Sequence, residues 1–520
     1  MRVLSKRTHS RLGAFARPAV AVSVAALLWL SAGAAAGATA TTHPHAAVPA
    51  IHPTYSDAVL VSTGTTPPSE PQCEAVGRTC FTPQAVQSAY NVGPLYTANH
   101  EGQGITIAIV DSYGSDTIAH DLHVFDQAFG LQSMCGEEGV TCTAGMPTFS
   151  QLALQGSPAT IAQPGKGTHL EDKSAWALEV SLDVETAHAI APMANILLVT
   201  TPTAETLGVQ GFVQMMAAEQ YVVDHGLAQV ISQSFAAAEG SFGSVASLMT
   251  LRHAFISAAQ SGVTVLGASG DGGTANGTKQ PVAKGGFLIP YPSVEWPASD
   301  PLVTGVGGTY LCTDPTAGTN DPRTPYIVPG VGAKCSNPAF GGAAEVAWTF
   351  SGGGFSQDFA KPSWQNSLPS GSTTIGAMRG VPDVAFQASA ATGGLVYLSL
   401  PPDGSASDVT CDANGTPCSA GWWDIGGTSL ATPQWAGLVA IADQINGRGL
   451  GLINPGLYKI GADATRYAND FYDVATGNAN QTDPSIPGYP ATTGWDPVTG
   501  LGTPNAANLV PDLVAAVNGH

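Results

Sequence analysis

The chain has 520 residues, of which 62 are Gly, 38 are Pro and 11% are charged, and 18 Lys and Arg stand against 38 Asp and Glu for a formal net charge of −20. This length admits one large α/β domain or two or three smaller ones, and the acidic balance argues against nucleic acid as a partner. The composition suits a loop-rich secreted protein whose carboxylate self-repulsion is relieved in acid.

The N-terminus carries Arg2, Lys6, Arg7, Arg11 and Arg17, then an apolar run from Ala19 to about Ala32, then small residues from Gly33 to Ala40. Basic, apolar and small segments in that order predict a secretory signal peptide over residues 1–40. A transmembrane anchor is the alternative, for which the run is short and rich in alanine. Residues 41–87 read as an N-terminal arm, rich in Pro, Thr, Ser and Ala and nearly without periodicity. Of the eight cysteines, Cys73/Cys80, Cys135/Cys142 and Cys411/Cys418 fall in neighbouring pairs of equal spacing. With export, proximity predicts these as local disulfides and Cys312/Cys335 as a fourth. No CxxC or Cys/His spacing supports a zinc site.

From Ala89 the pattern becomes that of a folded domain, assigned to residues 88–516. Gly104-Ile105-Thr106-Ile107-Ala108-Ile109-Val110-Asp111 is an apolar run that ends in a polar residue. Such a run predicts a buried parallel strand whose carboxyl end faces a site. Ile196 to Val199, Val230 to Ser232 and Val263 to Leu266 repeat it, and helix-like segments at about Ser174 to Ala189, Val209 to Asp224 and Val245 to Ala259 lie between. The alternation predicts an α/β fold with a doubly wound, mostly parallel sheet and helices on both faces. Past Asp271 the chain is richer in Gly and Pro, and Ala507 to Val517 reads as a closing helix.

Near the end stands Gly426-Gly427-Thr428-Ser429-Leu430-Ala431-Thr432-Pro433, followed by an apolar run from Trp435 to Ile441. Two glycines before a serine suit a tight turn into a buried helix, with the serine exposed at its start. Taken alone, such a serine is an N-cap. The wider pattern Gly-Thr-Ser-x-x-x-Pro resembles the nucleophile turn of subtilisin-like and sedolisin-like serine peptidases, which makes Ser429 a candidate nucleophile that needs a base.

Gly167-Thr168-His169 offers a histidine, with Asp111 as its partner, but Leu170-Glu171-Asp172-Lys173 follows and the apolar helix starts only near Ala175. His169 therefore reads as a loop residue. The helix itself carries Glu179 and Asp183, four apart and so on one face about a turn from each other. Such pairs ordinarily lie on solvated faces. Here the flanking residues are apolar, and the helix runs into Ala191-Pro192-Met193-Ala194 and a buried strand.

Leu178-Glu179-Val180-Ser181-Leu182-Asp183-Val184-Glu185 together with Gly426 to Pro433 resembles the sedolisin family of serine-carboxyl peptidases, which have a subtilisin-like fold. Ala268-Ser269-Gly270-Asp271, Trp296-Pro297-Ala298-Ser299, Val306-Gly307-Gly308-Thr309, Gly352-Gly353-Gly354-Phe355-Ser356 and Arg379-Gly380-Val381-Pro382-Asp383-Val384 are similar too, in the family's order, over roughly residues 88–510. The resemblance implies Ser429 as nucleophile, Glu179 as its general base, Asp183 sharing a proton with Glu179, and Asp271 in its acid form as oxyanion donor. Asp111 stands where the family often has a further carboxylate. The chemistry suits acid, because a histidine of pKa ~6.5 is already protonated near pH 4 whereas a carboxylate of pKa ~4 still accepts a proton.

The resemblance also implies one calcium ion, held by the carboxylates of Asp473 and Asp496 and the carbonyls of Val474, Thr492 and Gly494, with water as a sixth ligand. Thr492 stands where the family commonly has glycine. Two further departures concern the substrate side. About 45 residues separate the expected signal cleavage from the domain, too few for the family's folded pro-domain, and Phe235-Ala236 replaces the aromatic-glycine usual after Ser232-x-Ser234.

The expected protein is thus a secreted, monomeric, acid-acting peptidase on protein or peptide substrates, endo- or tripeptidyl-peptidase, with no nucleic-acid or stable membrane partner. A subtilisin-type peptidase using Asp111, His169 and Ser429, and a secreted binding protein on a dead peptidase fold, are the alternatives.

Overall fold

The computed structural model describes residues 52–53, 55–155, 160–161, 170–202, 209–278, 287–312, 344–399 and 420–519. The predicted signal peptide, His169, Cys335, Cys411 and Cys418 lie outside these residues, and the helix expected to start near Ala175 begins instead at Leu170, directly after His169.

The centre is a nine-stranded sheet among the described residues. Its principal strands are β1 (Thr106–Ser112), β2 (Phe149–Gln155), β3 (Asn195–Thr201), β4 (Val230–Gln233), β5 (Thr264–Ala268), β6 (Thr304–Leu311), β7 (Glu345–Ala347) and β8 (Val384–Gln387). Their order is β7-β6-β5-β4-β1-β3-β2, with β8 also pairing with β6 and Thr160–Ile161 beyond β2. All these pairings are parallel except those of β7 and of Thr160–Ile161. The predicted doubly wound sheet is present.

The alternation of β1 sorts its side chains into two cores. Ile107 and Ile109 pack on one face with Val180, Val184 and Ala187 of helix α2 (Leu170–Ile190) and Ala436 to Ala442 of helix α5 (Thr428–Asn446). Ala108 and Val110 pack on the other with Phe212, Met215 and Val222 of α3 (Val209–Asp224) and Phe255 of α4 (His253–Ser261). Helix α1 (Ile118–Phe129) and the closing helix α6 (Ala506–Val517) complete the set used below. Burial of both faces is what a strand of near-continuous apolar residues requires.

The helix expected over Val245 to Ala259 is broken. Ser244 caps a short turn, Val245–Met249, through its hydroxyl at 3.1 Å from the Ser247 amide. Arg252 then swings to Asp300, with Nη2 to Oδ1 at 2.8 Å, before α4 begins.

Every residue of α2 from Trp176 to Ile190 is buried, including Glu179, Asp183, Glu185 and His188. A helix buried all round has no solvated face on which to place its acids. The carboxyls on α2 are therefore desolvated, and each charge there must be neutralised, shared or hydrogen-bonded.

The arm is built into this domain. Tyr55–Ser62 pairs antiparallel with Gly421–Gly427, the strand that leads into α5, and His52–Pro53 pairs antiparallel with Phe235–Ala238. Cys73–Cys80 and Cys135–Cys142 are bonded as expected, and Cys312 is also disulfide-bonded.

Candidate active site

Ser429 is the second residue of α5, and the turn that delivers it depends on glycine. Gly427 has φ +135°, and a Cβ on Gly426 would lie 2.2 Å from the Ala390 nitrogen. Pro433, inside the helix, has no N–H to donate to the carbonyl four residues back, that of Ser429. Expected to be exposed, Ser429 is instead fully buried. Arm strands lie on both segments that adjoin it, Phe235–Ala238 and Gly421–Gly427.

The carboxyl ends of β1, β4 and β5 meet this turn. After β4, the Ser234 carbonyl lies 3.5 Å from Ser429 Oγ, and the Ser234 hydroxyl donates to Asp183 Oδ1 at 2.9 Å. After β5, Asp271 Oδ1 accepts both the backbone N–H and the hydroxyl of Thr428, each at 2.8 Å. The Gly270 N–H donates in turn to the Thr428 hydroxyl at 3.1 Å. At the end of β1, Asp111 is fully buried beside the acids of α2.

Electrostatics join these groups. Burial pushes Glu179 well above the usual carboxyl range, and the nearby charges of Asp111 and Asp271 push it further, while the Ser429 and Ser234 hydroxyls favour its charged form. Neither Glu179 oxygen meets hydrogen-bond geometry among the described residues. Asp183 is raised by burial and then by Asp111 and Glu179, with the Ser234 hydroxyl opposing. Asp111 is pushed up to about 8 by burial. Three acids this close cannot all ionise, so protons are held among them.

The structure thus brings Glu179, Asp183, Asp271 and Ser429 together, with Asp111 alongside. It adds Ser234 and Thr428. Ser234 was legible only as part of Ser232-x-Ser234, and Thr428 only as the residue before the serine.

Kumamolisin from Bacillus sp. (strain MN-32) is 30% identical over 452 residues, which cover 86% of this chain and 66% of that protein. The solved structure of Pseudomonas sedolisin, a serine-carboxyl proteinase complexed with two molecules of pseudo-iodotyrostatin, matches with a TM-score of 0.58 at 25% identity, over 83% of this chain and 97% of that one. The chain belongs to the sedolisin family. Tripeptidyl-peptidase 1 from Rattus norvegicus is 30% identical over 278 residues, 50% of this chain and 39% of that protein. The chain therefore spans just under two thirds of the length of kumamolisin and less of this second relative. No protein-family model matches it.

The residues expected to hold calcium are joined by hydrogen bonds. Asp473 Oδ2 accepts the Gly494 N–H at 3.0 Å, and Asp496 accepts Thr492 N–H at 3.1 Å and those of Val498 and Thr499 at 2.8 and 2.9 Å. Burial raises both carboxyls, Asp496 to about 7. Asp473 Oδ1 is buried with no hydrogen-bond partner among the described residues. A buried orphan oxygen beside a second buried carboxylate fits a hard cation. Gly494 has φ +75°, whereas Thr492 has no positive φ, so the threonine costs the turn nothing. Among the described residues no group of three or more His, Cys, Asp or Glu could hold a metal. Any ion here would rely on backbone carbonyls.

Proposed function

We propose that this chain is a secreted, monomeric serine-carboxyl peptidase that hydrolyses peptide bonds in acid. The observation that carries this is Ser429 beside a buried cluster of carboxyl groups, Asp111, Glu179 and Asp183, whose pKa values are all raised. Ser429 Oγ passes its proton to Glu179 as it attacks the substrate carbonyl. Asp183 and Asp111 hold the shared protons that keep one carboxylate basic, and Ser234 fixes Asp183. Asp271 in its acid form donates to the developing oxyanion, its Oδ1 oriented by Thr428. Glu179 returns its proton to the leaving amine, the C–N bond breaks, and water then hydrolyses the acyl ester on Ser429. A bound calcium would supply stability through Asp473 and Asp496, away from the reacting bond.

Secretion is supported by the bonded cysteines and by the order of segments in residues 1–40. Among the described residues no helix is long and apolar enough to cross a membrane.

The strand Phe235–Ala238 is the place for an extended substrate, which would add to it by backbone pairing as His52–Pro53 does. The pair His52–Pro53 of the arm is then the segment that substrates must displace. The test is cleavage of a denatured protein across pH 2–8, with sequencing of products and of the chain's own N-terminus. Turnover confined to acid supports the function; none at any pH contradicts it. An arm cut near residues 53–55 in the active protein and intact in Ser429→Ala supports its place in the groove. An arm intact in both contradicts that part alone.

A further inference from the structure

The stretch Gly352-Gly353-Gly354 has no part in the proposed chemistry, yet it lies against the turn that carries Asp271. The Gly352 N–H donates to the Gly270 carbonyl at 2.7 Å, and the Gly273 N–H donates to the Phe350 carbonyl at 3.0 Å, so the two turns grip each other on either side of Asp271. A third turn meets them. A Cβ on Gly353 would lie 1.8 Å from the Pro497 carbonyl oxygen, an approach that leaves room for backbone alone.

Where the three turns converge stands Asn480, which is fully buried. Its Nδ2 lies 3.2 Å from the Ser351 carbonyl, 3.4 Å from that of Gly353 and 3.3 Å from that of Pro497. An amide nitrogen carries two hydrogens, so the three carbonyls share them. The other end of the amide is also used: Oδ1 accepts the Tyr489 N–H at 2.8 Å, which settles which end faces the carbonyls. The main-chain carbonyl of Asn480 then accepts the Thr274 N–H at 3.0 Å and the Thr274 hydroxyl at 3.3 Å. Two residues on, the Thr482 hydroxyl donates to the Gly272 carbonyl at 2.5 Å. Gly273 has φ +58°, and a Cβ there would lie 2.4 Å from the Asn480 carbonyl oxygen.

Asp271 is therefore held from two sides. Thr428 fixes its side chain, and the backbone that follows it is bonded to residues 480 and 482. A buried polar group whose every donor and acceptor is engaged makes its surroundings rigid. An oxyanion donor gains from such rigidity, because its contribution depends on meeting the developing charge at hydrogen-bond distance without reorganisation.

We propose that Asn480 is a positioning residue for Asp271: its amide joins residues 351–353 to Pro497, and its carbonyl, with the Thr482 hydroxyl, holds residues 272–274 so that the Asp271 carboxyl stays aimed at the oxyanion. The proposal rests on the serine-carboxyl chemistry given above.

A double-mutant cycle on the full chain tests it, with steady-state kinetics at pH 4 on a fluorogenic peptide that contains a bond the enzyme cuts in a denatured protein. Asn480→Ala should lower kcat about tenfold or more and leave KM within about twofold of wild type. Asp271→Ala should lower kcat by about 100-fold or more. Adding Asn480→Ala to Asp271→Ala should change kcat by no more than about twofold, because the two residues act as one unit. Thr482→Val keeps the shape and loses the hydroxyl on Gly272; it should show the same pattern at smaller amplitude, and it replaces Asn480→Ala if that variant does not fold. Losses that multiply in the Asp271→Ala background, or a change in KM alone, overturn the proposal and leave the serine-carboxyl chemistry in place. Full activity in Asp271→Ala overturns the oxyanion assignment and the proposal with it.

Discussion

Thr428 donates twice to one oxygen of Asp271, through its N–H and its hydroxyl, both at 2.8 Å. The residue beside the proposed nucleophile therefore fixes the side chain proposed for the oxyanion, and the two groups are set as one piece. Thr428→Val keeps the shape and the N–H but loses the hydroxyl, which also accepts from Gly270. The expected result is a loss of roughly 10- to 100-fold in kcat with little change in KM, since an oxyanion donor acts on the transition state. Steady-state kinetics at pH 4 would check it, and a loss confined to KM would move Thr428 from orientation to substrate binding.

Ser234 opposes the rise in pKa of both Glu179 and Asp183. Removing its hydroxyl in Ser234→Ala takes away stabilisation of the charged forms, so both groups should titrate higher. The alkaline limb of the kcat/KM profile should move to higher pH, with a lower plateau because Asp183 loses its 2.9 Å partner. A limb displaced towards acid would contradict this assignment.

Much of this was legible in the sequence, and particular residues show where legibility stops. The strands β1, β3, β4 and β5 are short apolar runs, and parallel strands buried on both faces carry that signal locally. Glu179 and Asp183 were found because one turn of helix separates them. Helix α1 is harder to read, because Asp121 and Asp126 are buried among Ile118, Leu122 and Phe125 and break the apolar period. The bond from Ser234 to Asp183 spans 51 residues, and nothing local announces it. The arm has little periodicity because its strands pair antiparallel with distant segments and use main-chain groups, which composition does not record.

Stability should be highest in acid. Asp111 and Asp443 are pushed up to about 8, and Asp121 to about 7, each mainly by burial. An acid whose folded pKa exceeds its unfolded value of ~4 binds its proton more tightly when folded. Its contribution is full below the unfolded pKa and is lost as pH rises through the folded one. The melting temperature of Ser429→Ala should therefore fall steadily between about pH 4 and 8. A rise over that range would contradict the burial of these groups in protonated form.

Calcium should add stability on top of this. Asp473 Oδ1 meets no hydrogen-bond geometry among the described residues, and only the fold sets it near Asp496, so an ion bound there stabilises the folded state. At a calcium concentration 100-fold above Kd the gain is about 2.7 kcal/mol. Melting at pH 5 with calcium and with chelator should differ by several degrees, and Asp473→Asn should abolish the difference. Equal melting temperatures would remove calcium from the description.

The most direct test compares Glu179→Gln with His169→Ala on a denatured protein substrate across pH 2–8. Glutamine keeps the size of Glu179 but cannot accept the Ser429 proton, so the predicted result is a loss of roughly 10³-fold or more in kcat. His169→Ala should retain nearly full activity, with the optimum at about pH 3–5 in both wild type and variant. Abolished cleavage in His169→Ala, near-normal cleavage in Glu179→Gln and an optimum above about pH 7 would instead establish a histidine as the base.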